Sequence, residues 1–299
     1  MEPDTSGPAG GRPDDVERAH LRDPGDTSHT IFRYPAAPDL APLVRRFWLP
    51  VWSVPPGREA PQRVLQHPVC LLVVTPTYAH LVGVTSGLST TVLAGDGWAA
   101  GVMLTPAAGL LVARQPLAGL VDRTADLVDV LGAGGARLVE RVRTAMTGDP
   151  LGDAAHAEVR SAYGELLRPL LPVDAEGELV DRVVALVEGR TDITRVAQVC
   201  AEVGMSERAL QRLVHRRVGL TPKWLVQRRR LHEAVGLLRD GRTTQAEVAA
   251  SLGYADQAHL VRDFSRVTGQ TPGRFAAAHR ATTDGPAGPP VTPPGGPPP

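Results

Sequence analysis

Arg208, Gln211, Arg212 and His215 fall at i, i+3, i+4 and i+7 of the run "MSERALQRLVHRRVGLTP" (Met205 to Pro222). A helix there gathers four long hydrogen-bonding side chains on one face, with Leu210, Leu213 and Val214 on the other. Some fifty residues later, "YADQAHLVRDFSRVTGQTP" (Tyr254 to Pro272) repeats the shape. His259, Arg262 and Arg266 project from one side, Gln257 stands near the start, and Leu260, Phe264 and Val267 face inward. The chemistry on offer is recognition by charged and amide donors, not bond-making. His67 and His80 stand alone, without the His-x-His and carboxylate pattern of a metal site. His67 and Cys70, three apart on an expected strand, point to opposite faces. No Ser/His/Asp constellation emerges, so neither a catalytic group, a metal nor a cofactor is expected.

The elements that must position these donors are themselves duplicated. "VCAEVG" (Val199 to Gly204) matches "VAASLG" (Val248 to Gly253) at an offset of 49. Leu210, Arg212, Arg216, Gly219, Thr221 and Pro222 match Leu260, Arg262, Arg266, Gly269, Thr271 and Pro272 at an offset of 50. Each copy reads as a short helix, a glycine turn and a second helix. In the first, Ile193 to Val203 carries the apolar stripe, Gly204 can end it at positive φ, and Ser206 caps the next helix. Cys200 takes the place of Ala249, where only a small side chain fits between approaching helices. Two helices meeting at a tight turn, the second with donors on its exposed face, follow helix-turn-helix logic. One Arg-bearing face alone would be an ordinary solvated surface; two spaced copies argue for DNA.

Between the copies, "KWLVQRRRLHEAVGLLRDG" (Lys223 to Gly241) spaces Leu225, Leu231, Val235 and Leu238 helically. Such a helix spans roughly 27 Å. With the packing offset of the two units, the recognition helices come near the 34 Å or so of one duplex turn, suited to successive major grooves.

Charge distribution agrees. The formal net charge is zero, yet Glu178 to Arg280 holds 17 Lys+Arg against 11 Asp+Glu, a net of +6, whereas residues 1–177 hold 15 against 20. The basic half is the one carrying the repeats. The two cysteines, Cys70 and Cys200, lie in different halves, which fits a reduced cytoplasmic protein. No signal peptide and no membrane-length apolar run are visible. The composition predicts a disordered leader over 1–28 and a disordered Pro/Gly tail over 281–299.

The first half reads differently. "VCLLVVTP", "AHLVGVTSG", "STTVLAGDG" and "AAGVMLTPAAG" are short strands between turns, with Asp96 a turn residue. Helical spacing takes over from Ala118 to Thr147, with Leu138, Val142 and Ala145 on one stripe, and Tyr163 to Leu171 adds a short helix. A linker near Pro172–Gly177 leads into the all-helical half. The expected fold class is therefore α+β multidomain: a β-rich domain with flanking helices over 29–172, then an all-α domain over 178–280. Trp48, Trp52 and Trp98 are either the lining of an apolar small-molecule pocket or core anchors, and the core reading is preferred.

Over Glu178 to Ala277 the chain resembles the AraC/XylS family of transcription regulators, most distinctively through "VAASLGYADQAHLVRDFSRVTGQTPGRF". That resemblance implies two helix-turn-helix subdomains joined by a linker helix, binding double-stranded promoter DNA. By motif position, Arg208, Gln211 and Arg212 of the first unit, and Gln257, His259 and Arg262 of the second, would contact bases. Arg suits a guanine edge and Gln an adenine edge. Ser206, Arg216, Lys223 and Arg266 would hold phosphates. In the second helix, Ala258 and Val261 offer only apolar contact. A looser similarity over Ile31 to Leu171, to the cupin-like N-terminal domain of an AraC subgroup, implies an unknown small-molecule effector, a homodimer, or both. RNA polymerase is a further implied partner. The alternatives are a catalytic β-barrel with a DNA-targeting appendage, and a helical half that binds protein.

Overall fold

A computed structural model describes residues 19–21 and 25–283. Its first half holds β1 (His29–Pro35), β2 (Val44–Val54), β3 (Ala60–Val64), β4 (Leu71–Val74), β5 (Ala79–Val82), β6 (Ser89–Leu93), β7 (Gly95–Trp98), β8 (Ala100–Leu104) and β9 (Thr124–Asp126). Seven of these form one antiparallel sheet in the order β1-β2-β8-β4-β5-β9, with β7 also paired to β2. β3 and β6 pair apart from it as a two-stranded ribbon.

Period-two alternation decides which face is which. Phe47 and Leu49 of β2, Leu72 and Val74 of β4, and Val102 and Leu104 of β8 enter the main core. Their neighbours Trp48, Trp52, Leu71, Val73 and Met103 point the other way, into a smaller cluster beneath the ribbon. The main core is roofed by α1 (Pro106–Ala113), α2 (Leu127–Leu131), α3 (Ala133–Gly148) and α4 (Asp153–Leu167). Tyr163 of α4 is fully buried and donates to the carbonyl of Ala100 at 2.7 Å. His156, also of α4, bonds the Tyr34 hydroxyl at 2.7 Å, which ties α4 to β1.

The second half is α-helical throughout: α5 (Ala175–Gly189), α6 (Val196–Val203), α7 (Glu207–Arg217), α8 (Pro222–Asp240), α9 (Gln245–Ser251), α10 (Gln257–Thr268) and α11 (Pro272–Thr283). The α+β expectation holds, but the halves are not separate bodies. Val180, Val183, Val184 and Val187 of α5, Leu210 and Val214 of α7, and Leu225 and Val226 of α8 belong to the same apolar core as the sheet. In addition, the Asp181 carboxylate accepts from the Ala107 N–H at the start of α1, 2.8 Å away. Burial there pushes the Asp181 carboxyl up to about 6.

Several local expectations need correction. The linker expected over Pro172–Gly177 is shorter, because Asp174 caps α5 by accepting from Gly177 N and the helix starts at Ala175. Asp96 lies in β7 opposite Ser53 rather than in a turn. The helix expected over Tyr163 to Leu171 instead runs from Asp153 to Leu167, 15 residues. Ile193 is buried ahead of α6, which begins only at Val196. Of the expected leader, residues 1–18 and 22–24 lie outside the described residues, but 19–21 are ordered. Ala19 and Leu21 are buried, His20 pairs with Val64, and the backbone bonds Leu21 N to Arg63 O and Leu65 N to Ala19 O extend the ribbon. Leu21 supplies the reason, since it packs with Leu65 against Leu231, Val235 and Leu238 of α8. Of the expected tail, residues 281–283 belong to α11, and 284–299 lie outside the described residues.

Candidate functional site

Both helix-turn-helix units are built from the local signals in the sequence. Gly204 ends α6 at φ 66°, and Gly253 follows α9 at φ 70°, a left-handed conformation that glycine adopts without a Cβ penalty. Ser206 caps α7 by accepting from Ala209 N at 3.3 Å, and Asp256 caps α10 by accepting from His259 N at 2.6 Å. The two Gly-x-Thr-Pro closures act alike. Thr221 caps α8 and Thr271 caps α11, each with proline at the first helical position. Leu210 and Val214 in one unit, and Leu260 and Phe264 in the other, are fully buried.

The opposite faces carry the donors. Arg208, Gln211 and Arg212 are exposed on α7, as are Gln257 and Arg262 on α10. Among the described residues, Arg208, Arg212, Arg262 and Lys223 make no ion pair and no side-chain hydrogen bond. Gln211 reaches only Glu207, at 3.4 Å. Other candidates are partly committed. His259 is half-buried, edge-on to Tyr254 with ring centroids 5.2 Å apart. Arg216 lies 3.4 Å from Glu176, and Arg266 bonds Asp263 at 2.7 Å. Ser206 spends its oxygen on the helix cap. Val261 is half-buried and Ala258 exposed. Cys200, half-buried and free, joins the packing of the main core.

Sequence reasoning missed a second set of arginines, which position the units. Arg217, only 1% exposed, bonds Asp174 at 2.6 Å and Glu176 at 3.0 Å, fastening the end of α7 to the start of α5. Arg228, Arg229 and Arg230 are all buried. Arg229 bonds Glu233 at 2.5 Å and the Ile193 carbonyl at 2.7 Å. Arg230 stacks 3.7 Å over the Tyr254 ring, and Tyr254 donates to Asp263 of α10. The available signal was the run itself. Three consecutive residues sweep roughly 200° of a helix, so an apolar stripe must bury at least one of them.

Arg228 reaches across to the first half, where its Nη2 meets the carbonyls of Thr85, Ser86 and Gly87 at 3.3, 2.6 and 3.0 Å. Beside it, Trp224 donates to Ser86 O at 2.9 Å. Gly219, in the closing turn of the first unit, sits against the short 3-10 turn Leu117–Leu120. A Cβ there would lie 2.6 Å from Val121 Cγ2 and 2.8 Å from Leu117 O. Nearby, Glu188 of α5 receives Arg45 in bidentate fashion at 3.2 and 2.9 Å and His67 at 3.1 Å. Burial opposes its ionisation, but the hydrogen bond from His67 and the charge of Arg45 prevail and hold the carboxyl at about 2.

Between the sheet and the β3–β6 ribbon lies a cavity of about 200 Å³. Trp48 and Trp52, for which a core role was preferred, form its floor; Trp98 is the one that enters the core. Each indole lies flat over a cross-strand glycine, Trp48 opposite Gly101 and Trp52 opposite Gly97. A Cβ on either glycine would come within 2.6 Å of the ring. Among the described residues, no group of three or more His, Cys, Asp or Glu could hold a metal ion, and no helix is long and apolar enough to cross a membrane.

Comparison with known proteins matches this geometry. Residues 199–278 match a family model described as a helix-turn-helix domain, and residues 32–126 match a domain of unknown function (DUF6597). The HTH-type transcriptional regulator NimR of Escherichia coli (strain K12) is 34% identical over 116 residues, which are 39% of this chain and 41% of NimR. The C-terminal half carries a helix-turn-helix domain. The match spans about two-fifths of that relative's length. Among solved structures, ToxT of Vibrio cholerae O395 is 13% identical, covering 85% of this chain and 98% of its own, with a TM-score of 0.36. Wild-type ToxT from Vibrio cholerae strain SCE256, bound to an unsaturated fatty acid, is 12% identical over 84% and 95%, with a TM-score of 0.36.

Proposed function

We propose that this chain is a sequence-specific DNA-binding transcription regulator, acting in the cytoplasm, that reads two successive major grooves with α7 and α10. The observation carrying this reading is the pair of matching units on which Arg208, Arg212 and Arg262 face outward uncommitted, while the buried arginines Arg217, Arg228, Arg229 and Arg230 are tied down. Their spacing element, α8, has 19 residues and so spans roughly 28 Å, short of one duplex turn by an amount that the packing offset supplies. Arg208, Gln211, Arg212, Gln257 and Arg262 are the base-reading candidates, with His259 more restricted by its edge-on contact with Tyr254. Lys223, Arg216 and Arg266 serve phosphates, the last two after exchanging an intramolecular carboxylate for one. The cavity of the first half is the seat of a small-molecule effector. Self-association through that half and contact with RNA polymerase belong to the same reading.

The test is binding-site selection with the purified protein, followed by titration of the selected duplex against a scrambled one. Arg212→Ala should cost roughly 1–3 kcal/mol on the selected site and relax its preference at one position. Affinity should fall steeply with salt. Equal binding of parent and variant to both duplexes would overturn the proposal.

A further inference from the structure

At two corresponding positions the helix-turn-helix units differ in kind. Directly after its turn glycine the first unit carries Met205, and Leu213 of α7 is buried. The second unit has Tyr254 after its turn glycine. It has Asp263 at the offset of 50 that also relates Leu210 to Leu260 and Arg216 to Arg266. An apolar pair has thus become a polar one, and both of its members are buried. The Tyr254 hydroxyl donates to Asp263 Oδ2 at 3.2 Å, and Arg266 Nη2 donates to Asp263 Oδ1 at 2.7 Å. Tyr254 is fixed on its other sides, with Arg230 lying 3.7 Å over its ring and His259 edge-on at 5.2 Å. Burial and the Asp263 charge push the phenol above its ordinary range, so it keeps the proton it donates.

Arg216 and Arg266 hold equivalent phosphate positions, yet freeing them differs in cost. Arg216 lies 3.4 Å from Glu176, a carboxylate 38% exposed that stays paired with Arg217 when Arg216 leaves. Arg266 leaves behind a carboxylate that is only 8% exposed. Among the described residues, the one side-chain donor remaining to it is Tyr254. Breaking a surface pair costs little, whereas an acid stranded under cover costs several times more. A phosphate alone therefore does not draw Arg266 away from Asp263. The exchange is favourable only where α10 gains contacts with base edges at the same time.

We propose that Tyr254 and Asp263 form a specificity lock, which holds Arg266 off the backbone of arbitrary DNA and releases it only on a duplex whose bases α10 can read. The inference deepens the DNA-reading proposal and rests on it. The test titrates the parent, Tyr254→Met/Asp263→Leu and Arg266→Gln against the selected and the scrambled duplex over a series of salt concentrations. Because the apolar pair of the first unit already packs in this motif, the double variant should keep the parent's far-ultraviolet circular dichroism. It should bind the scrambled duplex about fivefold more tightly, with a salt slope steeper by about 1, and gain less on the selected one. Arg266→Gln should remove that gain when added to the double variant, and should weaken scrambled binding much less in the parent. Asp263→Asn keeps an acceptor for Tyr254 without the charge. It should lower the ratio of selected to scrambled affinity in the same sense, and it decides the question if the double variant unfolds. An unchanged ratio in the folded variants, or a gain that survives Arg266→Gln, overturns the lock. In that event a parent that still prefers the selected duplex leaves the regulator reading standing. A parent that binds both duplexes equally, or neither, sinks that reading and the lock with it.

Discussion

Glu188→Gln offers a quantitative test of how the β-rich and helical halves are joined. Glu188 belongs to α5, while its partners Arg45 and His67 belong to the first half, so the variant weakens a contact between halves and little else. The Glu188 carboxyl is held down to about 2, against 4.5 for an ordinary glutamate. By linkage that difference corresponds to about 3 kcal/mol of stability once pH exceeds both values. Arg45 and Glu188 are 28% and 21% exposed, and solvent screening brings the expected figure nearer to about 2 kcal/mol. Because the folded value is depressed, the contribution is complete above pH 4.5 and is lost as pH falls from there toward 2. Urea titrations of parent and variant should thus differ by about 2 kcal/mol at pH 7, with the gap shrinking to about a quarter of that by pH 2.5. Equal stabilities at pH 7, or a gap undiminished at pH 2.5, would refute the argument.

Asp181→Asn should act in the opposite sense. Its carboxyl is raised to about 6, so the parent loses stability as pH climbs from about 4 to 6, and the variant, still accepting from Ala107 N, should be about 1–2 kcal/mol more stable at pH 7; urea midpoints across that range decide it. Gly204→Ala, where an added Cβ meets nothing, should cost only about 1 kcal/mol of backbone strain. Gly219→Ala should cost roughly 1–3 kcal/mol more, through overlap with Val121 and Leu117, and equal losses on denaturation would deny that contact. Phe264→Ala empties the core of the second unit and should cost about 3–5 kcal/mol, visible as a lower melting temperature and weaker DNA binding by anisotropy.

What the sequence disclosed and what it withheld divide along physical lines. Gly204, Ser206, Thr221 and Pro222 act within a few residues of themselves, so their roles, and the twin units they delimit, were legible from spacing. The strand at Leu71–Val74 was equally local, whereas β2 was not read from the sequence. The burial of Arg228 was not, because the carbonyls it meets lie about 140 residues away and a backbone oxygen leaves no mark in the sequence. Leu21 was read with the polar residues around it, and the apolar surface that holds it comes from α8. The cavity floor needed register: only when Trp48 is known to oppose Gly101, and Trp52 Gly97, do those glycines become seats for indole rings. Base-reading candidates fell between these cases, since exposure follows from helical period whereas the commitment of Arg216 to Glu176 comes from another helix.

One apolar core runs from the sheet through α5 and α7 to Val226, and a second begins at Leu21 and takes in α8 from Leu231 onward. Whoever builds chimeras from this molecule must respect that seam. Grafting a foreign receptor onto residue 178 would strand Val180, Val184 and Leu225 without their native counterparts and invite aggregation. The transplantable cassette is the second helix-turn-helix unit with the C-terminal turns of α8, cut inside a continuous helix rather than at any loop.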